Sequence, residues 1–141
     1  MTKTAHLVVE RPQTAAVLLF TPEGERAWSA GWDPAYPDEG RKDVPGTVFT
    51  TSHGDQITTW VMVERSDSCV RYARVTHGFT AGTITVETVS CESARTRLSI
   101  TYDLTALNEE GAKWLGEFAR GFDDYIAHWE AAIAAVSDAG G

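Results

Sequence analysis

The side chains with chemistry to offer are few in this chain, and they are dispersed. His6, His53, His77 and His128 are widely scattered, and none stands at metal-ligand spacing from another histidine or a cysteine. No metal site is expected from that pattern. There is no glycine-x-serine-x-glycine elbow, no phosphate loop and no dinucleotide fingerprint, so the sequence offers no familiar nucleophile or nucleotide cradle. Asp123-Asp124 and Glu109-Glu110 are adjacent pairs. Adjacent helix residues do not share a face, so these read as a solvated face and a helix start rather than as paired acids. One acid/base pair remains. His77 sits at a strand end beside a glycine turn, and an imidazole is a side chain able to move a proton. Tyr102 can donate a hydrogen bond to a carbonyl or enolate. The plainer reading makes His77 a solvated edge residue and Tyr102 a core tyrosine with its hydroxyl satisfied. No residue is therefore assigned a catalytic role, and no cofactor is expected. Cys69 and Cys91 are too few for a disulfide scaffold and read as two reduced thiols.

Charge narrows the partners. The formal net charge is −8, and no lysine and arginine run breaks it, which disfavours nucleic acid and anionic membrane surfaces. No segment approaches the length of apolar chain needed to span a bilayer. LVV at 7–9 is a strand's worth rather than a signal peptide. The expectation is a cytoplasmic protein. At 141 residues it reads as one domain over 1–141 with a core of its own.

The positioning elements follow from periodicity. AHLVVE (5–10) reads as a strand broken by Arg11 and Pro12, and QTAAVLLF (13–20) as a short buried helix. Thr21 has the oxygen to cap a second short helix ending near Ser29–Gly31, with Pro22 at its first position. The stretch 33–46 holds three prolines and two glycines and reads as a loop of the length that often forms a lid or a binding loop. TVFTTSH, QITTWVMVER, CVRYARVTH, GTITVETVS and RTRLSITYDLTAL follow, rich in β-branched and aromatic residues and separated by short breakers. They predict an antiparallel meander. From Asn108 onward, Leu115, Phe118, Phe122, Ile126, Trp129, Ile133 and Val136 recur at steps of three and four, flanked by Trp114 and Tyr125. That is one wide apolar stripe on a long helix, with the tail SDAGG expected to fray. Such a stripe needs a concave apolar partner, which a twisted antiparallel sheet supplies.

This order, together with TPEGERAWSAGW at 21–32, GTVFTT at 46–51, the pair VRYARVTHG and GTITVE, and SITYDLTALNEEG at 99–111, resembles the START-related SRPBCC superfamily. The likeness is strongest to its small bacterial members of polyketide cyclase/dehydrase type. The resemblance implies an α+β helix-grip fold: a curved antiparallel sheet of six to seven strands wrapped around the C-terminal helix, with two short helices after the first strand. It also implies a cavity between sheet and helix for a hydrophobic or amphipathic small molecule, such as a lipid, a polyketide-like metabolite or an aromatic. Three functions fit such a fold: a binder or carrier, a cyclase/dehydratase acting on the same ligand, and a partner-binding module of the heat-shock ATPase activator type. The oligomeric state, homodimer included, stays open.

Strand parity then selects the lining. Leu98, Ile100, Tyr102 and Leu104 alternate with polar residues and face in, and pairing across the next turn brings Ile84 and Val86 beside them. Carrying the register back through Gly78 to Gly82 places Val75, Ala73, Val61 and Val63 inside, with His77 and Thr59 as polar points. In that register Cys69 faces Ser90, and Arg74 and Glu87 form a surface pair. The expected ligand-binding set from the sheet is Phe49, Val61, Val75, His77, Ile84, Val86, Ile100 and Tyr102. Trp28 and Trp32 join it at the mouth, and Phe118 and Phe122 from the helix. The same register leaves Trp60 and Met62 on the outer face, where they would make a partner surface. A bulge that flipped parity would instead turn Trp60, Tyr72 and Arg74 inward, with Arg74 available to an anionic ligand.

Overall fold

The computed structural model describes residues 1–140, with side chains described through Val136. Gly141, at the end of the tail expected to fray, lies outside the described residues. Strand β1 (Thr2–Val9) is followed by α1 (Gln13–Leu18) and a single 3-10 turn (Gly24–Ala27). Five strands then run as a meander: β2 (Val48–His53), β3 (Gln56–Arg65), β4 (Cys69–Thr76), β5 (Thr80–Glu92) and β6 (Arg95–Ala106). Helices α2 (Glu109–Arg120) and α3 (Phe122–Gly140) complete the chain. The sheet has six strands in the order β1-β6-β5-β4-β3-β2, every neighbour antiparallel.

The turns follow from the residues that make them. Gly54 and Asp55 join β2 to β3, with Gly54 at φ 59° in the first central position, where a type II′ hairpin takes glycine. Between β4 and β5 the loop is only His77-Gly78-Phe79, closed by Phe79 N–H donating to the Thr76 carbonyl at 2.9 Å. Gly78 supplies the positive φ, 68°, that the third position of this turn requires. The Thr21 hydroxyl does cap, accepting from Gly24 N–H at 3.0 Å while donating to the Leu18 carbonyl at 2.8 Å. What it caps is a 3-10 turn rather than the expected α-helix. The C-terminal helix is capped by Asn108, whose side chain accepts from Gly111 N–H at 2.7 Å. It divides at Gly121 into α2, which lies over β6, and α3, which lies along β1. The Glu130 carboxylate fastens α3 by accepting the Val8 N–H at 2.7 Å.

The core sits between the concave face of the sheet and the helical stripe. Leu115, Phe122, Ile126 and Ile133 are buried there, with Phe118, Trp129 and Val136 partly buried beside them. Ile84 pairs with Tyr102 and Val86 with Ile100, as parity required.

Beyond β5 the expected register is corrected. Cys69 pairs with Glu87 rather than Ser90, and Tyr72 with Ile84, a slip of three residues at a turn shorter than the glycines suggested. An odd slip exchanges the faces of β4 and, through it, β3. Val75 and Val63 are therefore exposed, Val61, Ala73 and Thr59 sit on the outer face, and His77 lies in the exposed turn. Trp60, Met62 and Tyr72 are buried. The flip arises at the turn, not at a bulge. The bulges that do occur, at Met62/Glu64 and Thr88/Ser90, lie beyond it. The expected Arg74–Glu87 surface pair is replaced by Arg71, which meets Glu64 at 3.3 Å on the outer face.

Candidate functional site

A cleft opens between the concave face, the 3-10 turn and the helix pair. Its inner chamber, about 110 Å³, lies between Glu25, Tyr72, Arg74, Ile84, Val86 and Trp129. Its outer chamber, about 400 Å³, reaches the surface between Thr51, Thr58, Thr76, Phe79, Trp114 and Phe118. Ser29, Trp32, Trp60, Arg74, Tyr102 and Tyr125 line both, so the two chambers adjoin. The outer chamber alone falls in the range of ordinary small-molecule sites, about 300–1,000 Å³.

Its walls are aromatic. Trp60 stacks on Phe49 with centroids 5.5 Å apart, and Trp32 meets Trp60 edge-on at 5.6 Å. Phe118 stacks on Trp114 at 4.9 Å and lies 5.2 Å from Tyr102. The polar tips of these rings are tied back to the protein: Trp60 Nε1 donates to Thr51 Oγ1 at 2.9 Å, and Tyr72 Oη donates to the Phe20 carbonyl at 2.7 Å. Such anchoring fixes the rings without spending their faces.

The two tryptophans of TPEGERAWSAGW divide the work. Trp28 is buried behind the cleft, wedged between Phe20 and Trp129, with its Nε1 donating to the Leu19 carbonyl at 2.8 Å. Trp32 donates to the Pro22 carbonyl at 2.8 Å and presents its ring to both chambers. The proline-rich loop after it is pinned by Arg26, which reaches Asp33 and the Pro34 carbonyl, each at 3.0 Å. Tyr36 from this loop is buried against Phe49.

Of the residues expected to contact a ligand, Trp32, Ile84, Val86, Tyr102 and Phe118 line the cleft. Trp28, Phe49, Ile100 and Phe122 form the packed wall behind it. Val61, Val75 and His77 are corrected to the convex side and the β4–β5 turn, by the register slip already described. The structure does not bring His77 to Tyr102. It brings Arg74, Glu25 and Tyr125 instead. Arg74 was legible only through the flipped register. Glu25 carried no signal of its own, since an acid in the first turn of a capped helix has a dipole role that accounts for it.

Arg74 and Glu25 are the charged side chains of the inner chamber. The guanidinium of Arg74 lies over the Trp60 ring, its Cζ 4.8 Å from the centroid. Its Nη2 reaches Thr76 Oγ1 at a long 3.4 Å, and its Nε is buried without an acceptor. No ion pair forms to Arg74 among the described residues. Burial lowers its pKa from the ordinary arginine value, yet an arginine stays charged in proteins. Burial pushes the Glu25 carboxyl well above its ordinary value of 4.5, and keeps the Tyr102 phenol neutral and able to donate. The native chain thus holds the Glu25 proton more tightly than the unfolded chain. Stability from this group is highest at or below the unfolded value, falls as pH rises toward the folded one and stays low above it. Glu25→Gln should raise stability near neutral pH, because the amide carries no proton to lose. It should also flatten the fall in stability that sets in as pH rises above the ordinary carboxyl value of 4.5, read in urea titrations. An unchanged profile would mean that the carboxyl reaches water.

A six-stranded antiparallel sheet closed over a C-terminal helix, with a cleft between them, is the helix-grip fold. No known family model matches the chain, and no curated protein matches it by sequence. Among solved structures it is similar to a Mesorhizobium loti protein at 11% identity and TM-score 0.69, over 98% of this chain and 97% of that one. It is similar to norcoclaurine synthase from Thalictrum flavum at 11% identity and TM-score 0.66, over 97% and 87% of the two chains. An HSP90 activator from Plasmodium falciparum follows at 16% identity and TM-score 0.59, over 86% and 87%. At these identities the likeness carries the fold. No helix among the described residues is long and apolar enough to cross a membrane.

Proposed function

We propose that this chain is a cytoplasmic, single-domain binder of a hydrophobic or amphipathic small molecule, held between the sheet and the C-terminal helix. The observation that supports the reading is the aromatic-walled cleft of two adjoining chambers, whose tryptophan side chains line it with their polar tips bonded elsewhere. A core with no guest to hold would fill such space, since interiors pack to crystal-like density.

The test is direct. The neutral fluorophore N-phenyl-1-naphthylamine should bind the folded protein and brighten. Ser29 is a small residue lining both chambers, and Ser29→Trp should weaken that binding about tenfold or more. Equal binding by the variant would count against the cleft.

A second reading keeps the same space and adds turnover of cyclase/dehydratase type. The inner chamber favours it by placing a carboxyl that resists ionisation beside a neutral phenol and a cation, a set able to donate a proton and stabilise an oxyanion. Norcoclaurine synthase is by name an enzyme on this fold. Loss of a cyclisation or dehydration activity in Glu25→Gln, with probe binding retained, would favour this reading over simple carriage. The partner-module reading loses its sequence basis, because Trp60 and Met62 are inside.

A further inference from the structure

We infer that the guest of this cleft is an aromatic carboxylate, seated with its ring in the outer chamber and its carboxylate on Arg74. The inference rests on the cleft-binding reading and adds to it the charge and the orientation of the ligand. Arg74 carries five N–H donors in a planar fork. The protein satisfies them with one long contact to Thr76 and leaves Nε buried without an acceptor. A half-buried cation with no anionic partner is costly unless something else supplies the charge and the acceptors. The resident carboxyl does not, because Glu25 makes no ion pair with Arg74 and burial favours its protonated form.

The shape of the space sets the rest. A carboxylate matches the guanidinium fork with two parallel hydrogen bonds. Among the described residues Arg74 is the sole lysine or arginine lining either chamber, so it neutralises a monoanion but leaves a phosphate dianion with uncompensated charge. One face of the guanidinium rests on Trp60, and the inner chamber, about 110 Å³, has room for a small head group rather than a ring system. The larger chamber, walled by Trp32, Trp114 and Phe118, has the volume and the flat faces for the ring.

The experiment compares 2-naphthoate with 2-naphthamide, which has nearly the same shape without the charge, by displacement of N-phenyl-1-naphthylamine and by calorimetry. Wild type should prefer the carboxylate about tenfold or more. Arg74→Met, which keeps apolar contact with Trp60, should bring the two ligands to equal affinity. Arg74→Gln reads the same ratio should the methionine variant fail to fold. Equal affinities in wild type overturn the inference, as does a carboxylate preference that survives removal of the arginine. If the neutral probe and both ligands all fail to bind wild type, the cleft reading itself falls and this inference with it. Binding of the probe without carboxylate preference removes the inference alone.

Discussion

Phe122→Ala is expected to lower the unfolding free energy by about 3–5 kcal/mol. Phe122 opens α3 directly after the break at Gly121 and is 1% exposed. Its ring stands edge-on to Tyr102 at 5.4 Å and to Phe118 at 5.7 Å. It therefore joins the two helices to the sheet at one point. Truncation there leaves a void that rigid neighbours on three sides cannot close, which places the cost toward the upper part of that range. Phe118→Ala makes the useful contrast. Phe118 is only partly buried and its ring is a wall of the outer chamber, so its loss should cost about 1–2 kcal/mol while weakening probe binding. Urea titrations of the two variants separate the roles. A loss below about 1 kcal/mol for Phe122→Ala would mean that α3 is not seated on the sheet.

The helix-grip architecture was legible because its signals are long. The stripe from Leu115 to Val136 repeats over about six turns, and chance does not sustain that. Alternation in RLSITYDL placed Leu98, Ile100, Tyr102 and Leu104 inward without any help from tertiary structure. The site was less legible, because cleft residues depend on register, and register depends on single turns. A register slipped by three residues at one turn exchanged Val75, Val61 and Val63 for Arg74, Trp60 and Met62. A physical signal was available. The register that buries Trp60, Met62 and Tyr72 removes more apolar area from water than the one that buries Val61, Val63 and Ala73. Arg74 goes inward as the companion of that choice, on the same face as Tyr72. Glu25 and Tyr125 reach the cleft only through the packing of the 3-10 turn and α3 on the sheet, and no local pattern encodes that.

Gly82→Ala should be among the most damaging small substitutions in the molecule, costing about 3 kcal/mol or more. In sequence Gly82 resembles the far end of a turn. In the structure it lies inside β5, paired with Leu104 on one side and Arg74 on the other. Its φ of 159° already strains any L side chain, and a harder obstacle stands beside it. The obstacle is proximity: a Cβ placed there would overlap the Asp103 carbonyl oxygen and stand 2.9 Å from Leu104 Cα. Both are backbone atoms of β6 and cannot swing aside as a side chain would, so β5 and β6 must part. The absence of a side chain also leaves the inner face open beside Arg74, its cross-strand partner. Parting the strands would therefore shift the arginine as well as weaken the sheet. The expected result is a lowered urea midpoint together with a reduced preference for 2-naphthoate over 2-naphthamide. A Gly82→Ala chain as stable as wild type would show that β5 can stand away from β6, and the close strand contact that holds Arg74 in its place would then not be what positions it.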